Sequence, residues 1–494
     1  MKDLQLAFIG DRTMRRLFQI LDTIERERTF TIGELALTMN VTQRTIASDI
    51  KVIKGYFEGC ILLDSGPKGF FFKEIQPRIY REKKQKLLEN ECLFDIIGNI
   101  FQGKFENVDE LAYRYHFSET SFRRLLKQSS QLLESYELRW NSNPLTIEGS
   151  EANLRKFFKD FYYEGVDTAF TVFPDEELHD FVLKKVGSKL GHYKIGSGTT
   201  IEAFYYTIYI AIKRASIGCT LTLPKDLAEL AYQGENFSLL YSLKKGINEI
   251  YGTELSKEEF AWIYLVTICK RTVDNELREK RFYEYFNRGI ELHELTKEYL
   301  NSFDIPEEHY SPIYVCLRSF FLSRKINHLI APVLNKEADD IKKRVIEMNP
   351  TIYQHNLQFL KENKERFSLS DKTTRYLEDI SVSLTIYSSL ILDFYWPSKT
   401  ICFLLEGDHF VCQQIRIRAI QQFGTKHELI FLPLQDLIQE RLNDSGIDLI
   451  VTNYNRYLLD YINDTEYLLL KDVPDEQDWQ HLARIIDPYR RSLF

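Results

Sequence analysis

The chain has 494 residues, 44% of them hydrophobic, 28% charged and 14% aromatic. That length exceeds one hydrophobic core and, at about 150 residues per domain, implies roughly three to five units; the aromatic content excludes a disordered acidic chain. The formal charge of -8 excludes a uniformly basic nucleic-acid binder, yet residues 1–165 hold 25 Lys plus Arg against 24 Asp plus Glu, so the acidity lies in the remainder.

Met1 to Asp11 lacks the uninterrupted apolar core of a signal peptide. The longest apolar run, Phe204 to Ile212, is far short of a bilayer span. Seven cysteines form no C-x-x-C pair, which suits reduced core thiols, with no metal site or cofactor implied. A cytoplasmic protein is expected.

The first predicted elements form a repeat. Thr31–Ile50 aligns without gaps with Asn107–Leu126, 76 positions further on. Each copy opens on a helix start, Thr31-Ile32-Gly33-Glu34 or Asn107-Val108-Asp109-Glu110, in which the first side chain caps and the Glu reaches back. Each short helix ends near Asn40 or His116, and a second begins with Thr42 or Ser118 as its cap. Val41 and Phe117 are spaced to pack on Ile46 and Phe122 as hydrophobic staples. Preceding helices, Thr13–Arg26 and Lys86–Phe101, supply apolar stripes. Strand-turn-strand candidates follow at Cys60–Phe72 and Leu138–Ile147 and read as wings.

A short helix, a tight turn and a second helix with a polar outward start is the geometry that enters a major groove. The candidate DNA-binding residues are Thr42, Gln43, Arg44, Thr45, Ser48 and Lys51, with Lys68 on the first wing, and Ser118, Thr120, Ser121, Arg123, Arg124 and Lys127. Glu119 fits this set least well, because a carboxylate repels phosphates unless it reads a cytosine amine.

From Glu164 to Tyr395 apolar residues recur at three- and four-residue spacing, predicting helical bundles. A weaker repeat sets Phe204–Arg214 against Tyr314–Arg324, and breaks near residue 288 divide the region in two. The last hundred residues change period. Short strands at Lys399–Leu405, Glu428–Leu432, Ile447–Thr452 and Tyr467–Lys471 alternate with helices at Asp408–Phe423, Gln435–Asn443 and Asp475–Ile486, predicting a small doubly wound α/β unit. The fold class expected is thus mainly α and multidomain: winged helix-turn-helix units at 1–80 and 81–163, bundles at 164–287 and 288–396, and the α/β unit at 397–494.

This order resembles the Mga and AtxA family of virulence regulators from Gram-positive bacteria. The resemblance is carried by Thr31–Phe57 and Asn107–Leu133, by the bundle helices ending Ala211-Ile212-Lys213-Arg214 and Leu322-Ser323-Arg324, and by the tail from Ile401. It implies bundles similar to phosphotransferase-system regulation domains (PRD), a tail similar to enzyme IIB, a homodimer joined through that tail, and double-stranded DNA and phosphotransferase-system proteins as partners. Where such domains carry phosphorylatable histidines this chain has Thr207, Leu317 and Val266, and where enzyme IIB carries its cysteine it has Leu405 or Glu406. His192 and His328 are the candidate phosphoacceptors among His192, His309, His328 and His355.

No P-loop, G-x-G-x-x-G after a strand, H-E-x-x-H or triad stands in the sequence, so a DNA-binding regulator is expected rather than an enzyme. The alternatives are an RNA antiterminator sharing the regulation bundles and a sugar-transport phosphocarrier. The first would begin with a small RNA-binding β-domain, and the second needs the missing Cys or His nucleophile.

Overall fold

The structure is a computed structural model that describes residues 3–67, 69–182, 184, 200–234, 236–287, 291–303, 310–366, 376–395, 398–432, 446–462 and 465–487. Lys68, His192, His309 and the expected helix Gln435–Asn443 lie outside the described residues.

The chain opens with α1 (Asp3–Leu6) and α2 (Arg12–Glu27), the latter started by the Asp11 carboxylate accepting from the Met14 N–H. A two-residue strand, β1 (Thr29–Phe30), leads into α3 (Ile32–Met39) and α4 (Gln43–Tyr56). The hairpin of β2 (Ile61–Gly66) and β3 (Gly69–Glu74) then folds back so that β3 lies between β1 and β2, all antiparallel. Leu17, Ile20, Leu21, Ile24, Leu35, Ile46, Ile50 and Ile53 are buried together, the three-helix core that their spacing predicts.

A second unit repeats this plan. After α5 (Pro77–Lys86) come α6 (Cys92–Phe101), α7 (Val108–Arg114), α8 (Glu119–Ser135) and the hairpin β4 (Arg139–Ser142) with β5 (Leu145–Glu148). The helix expected over Lys86–Phe101 starts only at Cys92: Lys86 ends α5, residues 87–90 form a turn, and Glu91, extended at φ −77° and ψ 100°, precedes α6 and accepts the Gly10 N–H at 2.9 Å. This tertiary contact overrides the local apolar spacing.

Helix α9 (Glu151–Tyr163) runs on from the second hairpin and closes that unit's core, with Phe158 against Phe101 and Phe161 against Phe94. The N-terminal segment is pinned to it. Phe8 packs on Phe157 and Phe161, and the buried Gln5 amide donates to the Phe161 and Val166 carbonyls.

The middle is helical. Among its members, α11 (Ile201–Ser216), α12 (Lys225–Tyr232) and α15 (Lys257–Ile268) pack together and against α9. In the second group α18 (Tyr310–Ile330) is the central helix, flanked by α16 (Glu276–Phe286), α17 (Glu291–Asn301) and α21 (Leu377–Tyr395), with α19 (Asp339–Met348) and α20 (Pro350–Glu362) on the last. Although α16 precedes residue 288, it packs along α18, and its buried Glu279 receives both Arg271 and the Ser319 hydroxyl. The short helices α10 (Glu176–Val182), α13 (Phe237–Tyr241) and α14 (Lys244–Tyr251) complete the first group.

The tail is a four-stranded parallel sheet in the order β7 (Glu428–Phe431), β6 (Thr400–Leu404), β8 (Leu449–Thr452), β9 (Tyr467–Leu469). Alternation along β6 sends Ile401 and Phe403 to a core shared with α22 (His409–Phe423) and α24 (Glu476–Ile486). Cys402 and Leu404 face the other side, near α23 (Asn455–Asp460). Both faces are covered, as parallel sheets require. No helix among the described residues is long and apolar enough to cross a membrane.

Candidate nucleic-acid interface

In the first unit the Thr31 hydroxyl accepts the Glu34 N–H at 3.1 Å, and the Glu34 carboxylate accepts the Thr31 N–H at 2.8 Å. The Thr31 hydroxyl also donates to that carboxylate at 2.8 Å, and this bond, with the one from the Thr31 N–H, holds the Glu34 carboxyl below its ordinary range. Helix α3 stops at Asn40, whose φ of 51° reverses the chain, and the Val41 N–H returns to the Ala36 carbonyl at 3.0 Å. Asn tolerates this left-handed conformation better than most residues. Thr42 then caps α4 by accepting from the Thr45 N–H at 3.2 Å, a device worth about 1 kcal/mol. Ile46, Ile50 and Ile53 anchor one face of α4, and the buried Asp49 on that face is neutralised by Arg16 of α2 at 2.5 Å.

The second unit repeats the devices one by one. The Asn107 N–H donates to the Glu110 carboxylate at 3.2 Å, His116 takes φ 59°, and the Phe117 N–H returns to the Ala112 carbonyl at 2.8 Å. Ser118 accepts the Ser121 N–H at 3.2 Å, and the Phe117 ring lies 6.1 Å from that of Phe122. At one contact the copies differ in kind. The positions matching Arg16 and Asp49 are Cys92 and Leu125, both buried, so an apolar pair replaces the ion pair.

Anchoring of one face leaves the other to solvent. Thr42, Gln43, Arg44, Ser48 and Lys51 are exposed on α4 and Thr45 is half-exposed; Ser118, Thr120, Arg123, Arg124 and Lys127 are exposed at and along α8, with Ser121 half-exposed. The structure therefore brings the candidates into two matched sets at the starts of α4 and α8. The Thr45 and Ser121 hydroxyls are partly occupied by their caps, at 2.9 Å from the Thr42 and Ser118 hydroxyls.

Glu119 acquires a place the sequence reading did not give it. Its carboxylate receives Arg123 at 2.8 and 2.9 Å, and the same guanidinium donates to the Ser142 hydroxyl of β4 at 3.3 Å. Arg123 is thus aimed between the helix and its hairpin. The i, i+4 spacing of Glu119 and Arg123 was the available signal. In the first unit Lys54 and Asp64, 2.8 Å apart, make the comparable tie between helix and hairpin.

The regulatory positions are distributed differently. Thr207 is buried, with its hydroxyl donating to the Ala203 carbonyl at 2.8 Å, and Leu317 is buried. His328 is half-buried on α18, and burial holds its pKa below the ordinary imidazole value against the opposing pull of Glu137. His355 meets the Ser302 hydroxyl at 2.9 Å. In the tail the loop after β6 is closed upon itself. The Glu406 N–H donates to the Asn453 side chain at 2.9 Å, the Asn453 amide donates back at 2.7 Å, and the Tyr457 hydroxyl donates to the Glu406 carboxylate at 2.6 Å. The Asp408 carboxylate accepts from the first N–H groups of α22, where a bound anion would sit in a phosphate-binding loop. Burial pushes the Cys402 thiol up to about 12 and raises that of Cys412, as expected of unreactive thiols.

Residues 80–162, from within α5 to near the end of α9, match the Mga helix-turn-helix domain. Across 97% of this chain and 99% of the relative, the sequence is 21% identical to the capsule synthesis positive regulator AcpB of Bacillus anthracis. It is 24% identical to the capsule synthesis positive regulator AcpA of the same organism, over 63% of this chain and 67% of that one. A probable licABCH operon regulator of Bacillus subtilis (strain 168) is 21% identical over 52% of this chain and 44% of its own. Together with the two turns, these matches define a transcription regulator of the helix-turn-helix class. Its second unit is thus similar to the Mga helix-turn-helix domain, and along nearly its whole length the chain is similar to a capsule regulator.

Proposed function

We propose that this protein binds promoter DNA through both helix-turn-helix units, with α4 and α8 as the two recognition helices. The observation that carries the reading is the likeness of the two turns: each has a residue with φ near 50–60° and a hydroxyl cap at the same register, followed by an exposed polar face on which Lys51 matches Lys127 while Arg44, Arg123 and Arg124 stand at positions of their own. Thr42, Ser118 and neighbouring short side chains are suited to phosphates, while Gln43, Arg44, Arg123, Arg124 and Lys127 have the reach for base edges or backbone. The hairpins β2–β3 and β4–β5, including Lys68 on the first, serve as wings.

The helical groups act as PRD-like sensors and the parallel α/β tail as an enzyme IIB-like dimerisation module, by likeness to the family. Because the two Bacillus anthracis relatives are named positive regulators, activation is the proposed sign of control. His328 remains a candidate phosphoacceptor, and His192 another outside the described residues. Fluorescence anisotropy with duplex DNA against a stem-loop RNA of equal charge tests the central reading. Salt-sensitive preference for the duplex supports it, and preference for the stem-loop replaces it with the antiterminator alternative.

A further inference from the structure

Helix α9 leaves the second hairpin and enters the contact with the helical groups, carrying Arg155, Lys156 and Lys159 on the way. Arg155 is fully buried and taken up by Glu151 and Glu259, and Lys156 pairs with Asp160 at 2.8 Å. Among the described residues, Lys159 and the exposed Lys270 make no ion pair. Both line a cavity with Arg155, Lys156, Thr207 and Trp262, and no carboxylate is in its lining. The indole Nε1–H of Trp262 is buried without a hydrogen-bond acceptor, although the residue is only 3% exposed.

Two unpaired ammonium groups beside a small space, together with a buried donor that has no protein acceptor, make a setting that an entering anion would stabilise. The cavity has about 30 Å³ open to water-sized groups, more than the roughly 10–15 Å³ that one water requires. That admits a compact oxyanion and excludes a sugar ring. An adjoining space of about 180 Å³ shares Lys156 and Lys270 but is lined by Asp160, Glu164 and Glu337 among others, so the cationic character is confined to the smaller cavity.

We propose that this cavity binds a phosphate-class oxyanion, either free inorganic phosphate or the phosphoryl group of a small ester, received by Lys159, Lys270 and the Trp262 N–H. The anion draws α9, which is continuous with the second helix-turn-helix unit, toward α11 and α15. The binding site itself stands apart from the DNA reading; only an effect of the anion on promoter affinity rests on that reading.

The test is titration calorimetry and thermal unfolding of the full chain at fixed ionic strength, with sodium phosphate, glucose 6-phosphate or sodium chloride. Wild type is expected to bind phosphate and to gain in Tm over chloride. Lys159→Gln with Lys270→Gln should lose at least about tenfold in affinity while keeping or raising the Tm in chloride, because repulsion is relieved. Trp262→Phe should weaken binding and leave the fold intact. Binding of both phosphate and glucose 6-phosphate assigns the phosphoryl group of an ester as well as the free anion, and binding of phosphate alone assigns the free anion. No heat with either, or an equal phosphate-induced Tm rise in the double-lysine variant, overturns the proposal. Because promoter DNA is absent from these measurements, their failure is distinguishable from failure of the DNA reading.

Discussion

Arg155 and Glu259 are joined by two hydrogen bonds inside the protein although 104 positions separate them in sequence. Arg155 belongs to the helix that leaves the second helix-turn-helix unit, and Glu259 to α15 of the first helical group. Glu151 extends the pair, accepting from Arg155 and from Arg214 of α11. The unit and its neighbouring helices are therefore tied by a buried charge network.

Arg155→Ala is expected to destabilise the protein by about 3–5 kcal/mol, the usual consequence of leaving a buried carboxylate unpaired. Urea unfolding monitored by circular dichroism measures it. A loss below about 1 kcal/mol would mean that Glu259 finds water or another cation.

The two turns make a second prediction. A β-branched residue is strained at positive φ, so Asn40→Val or His116→Val should each cost about 1–2 kcal/mol. Asn40→Gly and His116→Gly, which relieve that restriction, should be close to neutral. Equal stability of the valine and glycine variants would contradict the turn geometry on which the placement of α4 and α8 depends.

Much of this geometry was legible beforehand because it is local. Caps, the reversal at Asn40 and His116, and the staple of Phe117 on Phe122 lie within a few residues of one another, so one window of sequence contains all their partners. The parallel strands of the tail were readable for the same reason, from short apolar runs bounded by turn residues. What depended on distant partners was not. The break before Cys92 is set by Gly10, and the cavity around Lys159 is assembled from α9, α11, α15 and residues beyond them. The pairing of Glu119 with Arg123 was missed for a different cause: the partner was within reach at i+4, but the carboxylate was weighed against the DNA alone.

Glu119→Ala tests that pairing. Removing the carboxylate takes a negative charge from the exposed face and frees Arg123 from its set direction. Affinity for non-cognate duplex should rise several-fold at low salt, and the ratio of cognate to non-cognate affinity should fall. Competition binding with the two duplexes checks it; an unchanged ratio would show that Arg123 is not positioned by Glu119 in the complex.

Lys159 supplies a pH dependence. Burial, aided by Lys270 and Lys156 and opposed by Asp160 and Glu164, lowers its amine to about 8. Between about pH 8 and the ordinary lysine value near 10.4, the unfolded chain holds a proton that the folded protein has released. This site's contribution to stability is therefore least favourable below pH 8 and improves as pH rises through that window. In phosphate-free buffer Lys159→Met should be more stable than wild type at pH 7, and the advantage should shrink by pH 10. A constant difference across that range would contradict the lowered pKa.

Hydroxyl-radical footprinting of the full chain on bound genomic fragments tests the twin-unit account most directly. Wild type should protect two separate groove-facing segments. Arg44→Ala should lose protection in one, Arg123→Ala with Arg124→Ala in the other, and each should lower the salt slope of binding by about one per phosphate contact removed. Protection of a single segment, unchanged by Arg44→Ala, would contradict the account by leaving the first unit off the DNA.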